Sequence, residues 1–144
     1  MKERILVVDD NHEAADTLVR LLISLGYEAQ PVYDGLHAVD VAAVFLPDLL
    51  LIDIGMPGIN GYETVRRIRG HKECAHAILI ALTAHTTSQD KQKAYAAGFD
   101  LHVSKPMGMD ALNQVLKLLD PSATSSTEDK IHRLERKWDR CKTV

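Results

Sequence analysis

The sequence predicts an α/β fold built on a parallel β-sheet, and three observations carry that prediction. Five short apolar runs are spread over the first 105 residues, longer segments of helical periodicity separate them, and glycine follows several of those segments. Alternation of this kind is the pattern of βαβ units.

Taken in order, the first run is "RILVV" at 4–8, a continuous apolar block, followed by a helix over about 12–25 that Asp10 or Asn11 can cap and Gly26 can close. "AQPVY" at 29–33 contains Pro31, which cannot donate to a ladder, so this strand belongs at a sheet edge. A helix over 35–45 leads to "DLLLI" at 48–52, again continuous and apolar, and a helix over 61–69 ends at Gly70. "AILIAL" at 77–82 is the third continuous block, and a helix over 87–97 ends at Gly98. "LHVS" at 101–104 is short and mixed, which suits the other edge, and a helix over 109–119 comes after it. The three continuous blocks are expected in the middle of the sheet, covered by helices on both faces. Gly26, Gly70 and Gly98 are read as left-handed C-terminal caps.

Composition narrows the function classes. A chain of 144 residues, 46% hydrophobic and 26% charged, suits one soluble domain. A net charge of −3 with scattered basic residues gives no nucleic-acid footprint. Cys74 and Cys141 have neither metal-ligand spacing nor a disulfide framework, and "MKERILVVDD" is wrong for a signal peptide and too short to span a bilayer. The expectation is a cytoplasmic protein with no membrane partner. From Pro121 the composition changes. Residues 121–144 comprise a polar linker, "PSATSSTEDK", and a charged segment with Ile131, Leu134, Trp138 and Cys141 along one helical face. That segment reads first as a solvated tail, with docking on the domain or on a second chain as the alternative. The expected division is therefore a domain at 1–120 and a tail at 121–144.

Chemistry is expected where the parallel strands end, because ligands of such sheets bind at the carboxyl edge. The first run ends in Asp9 and Asp10, the third in Asp53, the fourth in Thr83, and the fifth in Ser104 and Lys105, with Pro106 next. Singly, each could cap a helix or open a turn. Together, clustered carboxylates repel one another unless a cation sits among them, and an all-oxygen set suits a hard divalent ion such as Mg²⁺. Such a pocket is also suited to receive a phosphoryl group.

These residues lie in "ILVVDDN", "LLLIDIGMPGINGYE", "ALTA" and "SKP", in that order, and with them residues 3–120 resemble a receiver domain of a two-component response regulator. The resemblance implies the doubly wound, flavodoxin-like (βα)5 fold with strand order 2-1-3-4-5. It implies that Asp53 accepts a phosphoryl group from a phosphohistidine, that Asp10 binds Mg²⁺ directly and Asp9 mainly through water, and that the Gly55 carbonyl is a further ligand. Thr83 and Lys105 would contact the phosphoryl oxygens, Pro106 would follow a cis bond that aims Lys105 inward, and Pro57, Gly58 and Gly61 would let the loop after Asp53 turn tightly. The implied partners are a sensor histidine kinase or a histidine phosphotransfer protein, and a downstream protein bound through helix 4, strand 5 and helix 5, with homodimerisation on phosphorylation left open. The activity implied is self-phosphorylation and self-dephosphorylation, not turnover of a substrate.

Two places depart from the family pattern. His102 stands where an aromatic switch residue is usual, and could act as the switch or be a partly exposed edge histidine. Gly55 and His85 flank the phosphoryl position and bear on its lifetime. The remaining histidines, His12, His37, His71, His76 and His132, read as surface residues. Competing readings are a phosphohydrolase of the haloacid dehalogenase type, which needs a second acid where Gly55 stands, and a degenerate receiver serving as a constitutive binding module. A flavin-binding relative is disfavoured, because no glycine-rich phosphate loop comes after the first strand.

Overall fold

The structure, a computed structural model, describes residues 2–84, 87–120 and 126–142, with side chains described as far as residue 136. It divides into two compact units, Met1–Lys105 and Pro106–Val144.

The first unit contains β1 (Arg4–Val8), α1 (His12–Ser24), β2 (Glu28–Val32), α2 (Gly35–Phe45), β3 (Leu49–Asp53), α3 (Gly61–Arg69), β4 (Ile78–Thr83), α4 (Ser88–Ala97) and β5 (Leu101–Ser104). All strand pairs are parallel, in the order β2-β1-β3-β4-β5, as expected for the doubly wound fold. The three continuous apolar runs are the inner strands, and the proline-bearing and mixed runs are the edges. Register sets which strand ends stand side by side: Val8 lies beside Ile52, Asp53 beside Leu82, and Thr83 beside Ser104.

Side chains alternate across the sheet, so each inner strand supplies both faces. Leu6, Leu50, Ile52 and Leu79 pack in one cluster with Ala38 and Ala42 of α2, Val65 and Ile68 of α3, and Ala94 of α4. Ile5, Leu49, Leu51 and Ile80 are equally buried on the other face, and α1 packs against β1 and β2. Burying each large aliphatic side chain contributes about 1.5–3 kcal/mol before chain entropy is set against it. The inner strands are thereby held rigidly enough to fix what stands at their ends.

Helix starts follow their cap residues. Asn11, Asp34, Asn60 and Thr87 accept backbone N–H bonds from Ala14, His37, Glu63 and Asp90. Helix ends were less predictable. Gly26 (φ +100°) and Gly98 (φ +123°) are left-handed as expected, but Gly70 is not, at φ −70°. There Gly70 stays right-handed, His71 is extended, and the 3-10 turn Lys72–Cys74 follows at once. At the end of α2 it is Leu46 that turns left-handed, at φ 53°. Pro47 comes next and disfavours the right-handed helical conformation for Leu46.

The amino edge of the sheet is tied by two arginines. Arg69 donates to the carbonyls of Gly98 (3.0 Å) and Ala77 (2.8 Å) and pairs with Asp100 Oδ2 at 2.6 Å. The same carboxylate oxygen accepts the Leu79 N–H at 2.8 Å. Arg4 donates its side chain to the Phe45 carbonyl (3.0 Å) and its backbone N–H to Asp48 (2.9 Å).

The second unit contains α5 (Met109–Leu116), the 3-10 turn Lys117–Leu119 and α6 (Thr127–Lys142). The expected helix over 109–119 is thus α-helical only to Leu116. The charged tail is helical, Ile131 and Leu134 are buried, α6 packs on the 3-10 turn, and Lys130 donates to the Asp120 carbonyl at 2.8 Å. This corrects the favoured expectation of a solvated segment: two apolar side chains one turn apart are buried rather than left in water. The linker residues 121–125 and the side chains of Trp138 and Cys141 lie outside the described residues.

Candidate functional site

The carboxyl ends of β1 and β3 bring three acids together. Asp9 follows β1, its N–H continues the ladder to the Val32 carbonyl (3.0 Å), and its side chain is buried, the residue being 5% exposed. Its Oδ1 accepts the Asn11 N–H at 3.0 Å, which leaves Oδ2 to face the pocket. Asp53 ends β3 at 9% exposure, with Oδ1 accepting the Gly55 N–H at 3.0 Å. Asp10 is exposed, and carboxylate oxygens of Asp9, Asp10 and Asp53 lie within 4.8 Å of one another.

Lys105 answers this cluster from the end of β5. Its Nζ stands 3.2 Å from Asp9 Oδ2 and 3.0 Å from Asp53 Oδ2. Among the described residues, three carboxylates against one ammonium leave a formal charge of −2. Burial pushes the Asp9 carboxyl above its ordinary range; the Asn11 N–H and Lys105 pull the other way without prevailing, and the charge on Asp53 adds to the rise. Burial also works against the charge on Lys105, but the hydrogen bond and charge of Asp53, then those of Asp9, outweigh it and hold the ammonium above its usual value.

Thr83, the last residue of β4, is buried, and its carbonyl accepts the Lys105 N–H at 2.8 Å. His102 is 4% exposed, beside Ala81 of β4, so it is not the partly exposed edge histidine that one reading allowed. His85 lies outside the described residues, and Pro106 opens the second unit.

Two glycines shape the loop after Asp53 for different reasons. Gly58 takes a left-handed turn at φ +78°. Gly61 sits where a Cβ would come within 2.7 Å of the Ile54 Cα and 2.9 Å of the Asp53 carbonyl oxygen, and its N–H closes the loop onto the Ile54 carbonyl at 3.1 Å. Gly55 has no such need, since a Cβ there would meet Asp53 Oδ1 at an ordinary 3.8 Å.

Sequence reasoning missed one pair. His12, in the first turn of α1, and Tyr33, just after β2, are stacked with ring centroids 3.7 Å apart and planes 10° from parallel. Tyr33 Oη donates to Asp16 Oδ1 at 2.5 Å, a bond that raises the phenol's pKa. Both residues come after a strand's carboxyl end, the same positional signal that singled out the acids, but neither is a charged group in the usual sense.

An all-oxygen, hard donor set with excess negative charge fits Mg²⁺ by its chemistry. Comparison with known proteins agrees. The family model described as the response regulator receiver domain matches residues 5–117. The polar-differentiation response regulator DivK of Brucella ovis is 29% identical over 117 residues, covering 81% of this chain and 95% of that protein. The sensor histidine kinase RcsC of Salmonella typhi is 36% identical over 112 residues, 78% of this chain, which spans only 12% of the kinase's length. Among solved structures, the chemotaxis protein CheY4 of Vibrio cholerae superposes with a TM-score of 0.77 at 26% identity, covering 81% of this chain and 98% of that one. The receiver domain of a Pseudomonas aeruginosa sensor histidine kinase, with magnesium coordinated in its active-site cleft, gives 0.73 at 32% identity, covering 81% and 96%. The chain has the doubly wound, flavodoxin-like fold and belongs to the response regulator receiver domains of two-component systems, which are phospho-accepting signalling switches.

Proposed function

We propose that Asp53 is the phospho-acceptor, and that residues 1–120 form the receiver while 121–144 are linker and tail. The observation that carries the assignment is a buried carboxylate at the end of the central strand with two acids and one ammonium grouped around it. Asp9, Asp10 and Asp53, with the Gly55 carbonyl, would hold Mg²⁺, which when bound supplies positive charge that offsets repulsion between acid and phosphate. An Asp53 carboxylate oxygen attacks phosphorus, the bond to the donor nitrogen breaks, and the electron pair leaves with that nitrogen. Lys105 pairs with a phosphoryl oxygen as a point charge, and Thr83 donates its hydroxyl to another. Pro106 tightens the turn that aims Lys105 inward. Gly55 and His85 set how readily water reaches the acyl phosphate, and His102 responds to movement of Thr83.

The donor in this reading is a sensor histidine kinase or a histidine phosphotransfer protein in the cytoplasm. The output is altered protein binding at the face built around α4 and β5, with homodimerisation one form it can take. The chemistry is self-phosphorylation and self-dephosphorylation. Gly55, where a phosphohydrolase of the competing type needs its second acid, argues against steady turnover.

The test is incubation with a small phosphodonor and Mg²⁺, then intact mass. Native protein is expected to gain one phosphate, and Asp53→Asn and the chelated native protein are expected not to. An equal gain on Asp53→Asn would remove Asp53 from this role.

A further inference from the structure

Two rings follow closely on the ends of β1 and β2. Tyr33 follows Val32, whose carbonyl is bonded to the Asp9 N–H, and His12 lies two residues after Asp10. The rings lie 3.7 Å apart and nearly parallel, Tyr33 is anchored to Asp16, and Asn11 caps the turn that holds His12. Two elements therefore hold the stack in place before any ligand arrives, and His12 is exposed. A fixed, exposed ring favours stacking by another flat ring, because the ordering cost is already met.

We propose that His12, backed by Tyr33, is a specificity-determining shelf that favours phosphodonors whose leaving group is a flat ring, the imidazole of a phosphohistidine being the natural case. The inference rests on the reading of Asp53 as acceptor. In the step it assists, the Asp53 Oδ–P bond forms and the P–N bond of phosphoimidazole, protonated on its other nitrogen, breaks. The electron pair returns to the ring, which departs as neutral imidazole.

The experiment compares labelling rates of the full chain by phosphoimidazole and by acetyl phosphate, with Mg²⁺ and at one pH, read by intact mass. His12→Ala and Tyr33→Leu are expected to lower the ratio of the two rates by about two- to tenfold, the range a lost aromatic pair implies. His12→Phe is expected to restore it, since a phenyl ring stacks but neither titrates nor binds metal. Acetyl phosphate labelling with an unchanged donor ratio in His12→Ala, or failure of His12→Phe to rescue, would overturn the shelf alone. Failure of native protein to take phosphate from either donor would overturn the acceptor reading and the shelf with it.

Discussion

The two edges of the sheet use the same chemical groups to opposite ends. At the amino edge, Asp100 meets a planar guanidinium and a backbone N–H, and Arg69 spends its remaining donors on carbonyls of two neighbouring segments. Among the described residues of the carboxyl edge, three carboxylates are grouped around one ammonium, and each buried acid receives a backbone N–H bond from the residue two positions on. Satisfied ions of the first kind lock strands together. Under-compensated ions of the second kind leave a field that a cation or a phosphoryl group can answer. The difference teaches that charge alone does not mark a site; imbalance does.

The largest effect that would break this contrast is expected at the amino edge. Asp100→Ala leaves the Arg69 guanidinium and the Leu79 N–H without their acceptor and should cost about 2–4 kcal/mol. That loss should appear as a lower urea midpoint at unchanged slope, with phosphate labelling intact. Labelling that collapsed together with stability would show that the two edges are not separable.

Next in size is the response to metal. Magnesium at about a hundred times its dissociation constant should stabilise the native chain by roughly 2.7 kcal/mol, and Asp10→Asn should remove most of that gain. Thermal melts with magnesium and with chelator measure it. An undiminished gain in the variant would take Asp10 out of the ligand set.

The smallest effect sharpens the idea of imbalance. With chelator present, Asp9→Asn should raise the melting temperature near neutral pH, because burial makes the charged form of Asp9 unfavourable in the folded chain. Proton linkage gives the sign. Above its raised folded value Asp9 is ionised in both states and opposes folding. As pH falls through that value the folded chain takes up a proton that the unfolded chain does not, so this group's contribution improves until the ordinary value of 3.8 is reached. Native protein should show that acid-side improvement and Asp9→Asn should lack it; a variant less stable than native at neutral pH would contradict the account.

Much of this architecture was legible in the sequence because it rests on local rules. Short continuous apolar runs bounded by turn residues read as inner strands, because a strand covered on both faces has no side chain to give to water, and Pro31 marked an edge. The acids, Thr83 and Lys105 were found because parallel sheets present their carboxyl ends to ligands. What escaped depended on partners distant in sequence. Arg69 and Asp100 look like solvated charges until the end of α3 meets the segment that leads into β5, His12 and Tyr33 become a pair only when β2 lies beside β1, and Ile131 and Leu134 read as tail residues until the fold buries them. Leu46 was missed for another reason: the left-handed turn falls on a residue that is not glycine, and Pro47 only disfavours the right-handed alternative.

A single rung of the ladder, from the Lys105 amide to the Thr83 carbonyl, has a mechanical corollary. The hydroxyl-bearing residue and the cationic one are coupled, since a tug on either strand terminus is passed to the other through main chain for as long as that bond holds. Swapping side chains at one of the two positions would leave that tether whole, so the ends of β4 and β5 would still travel as one piece.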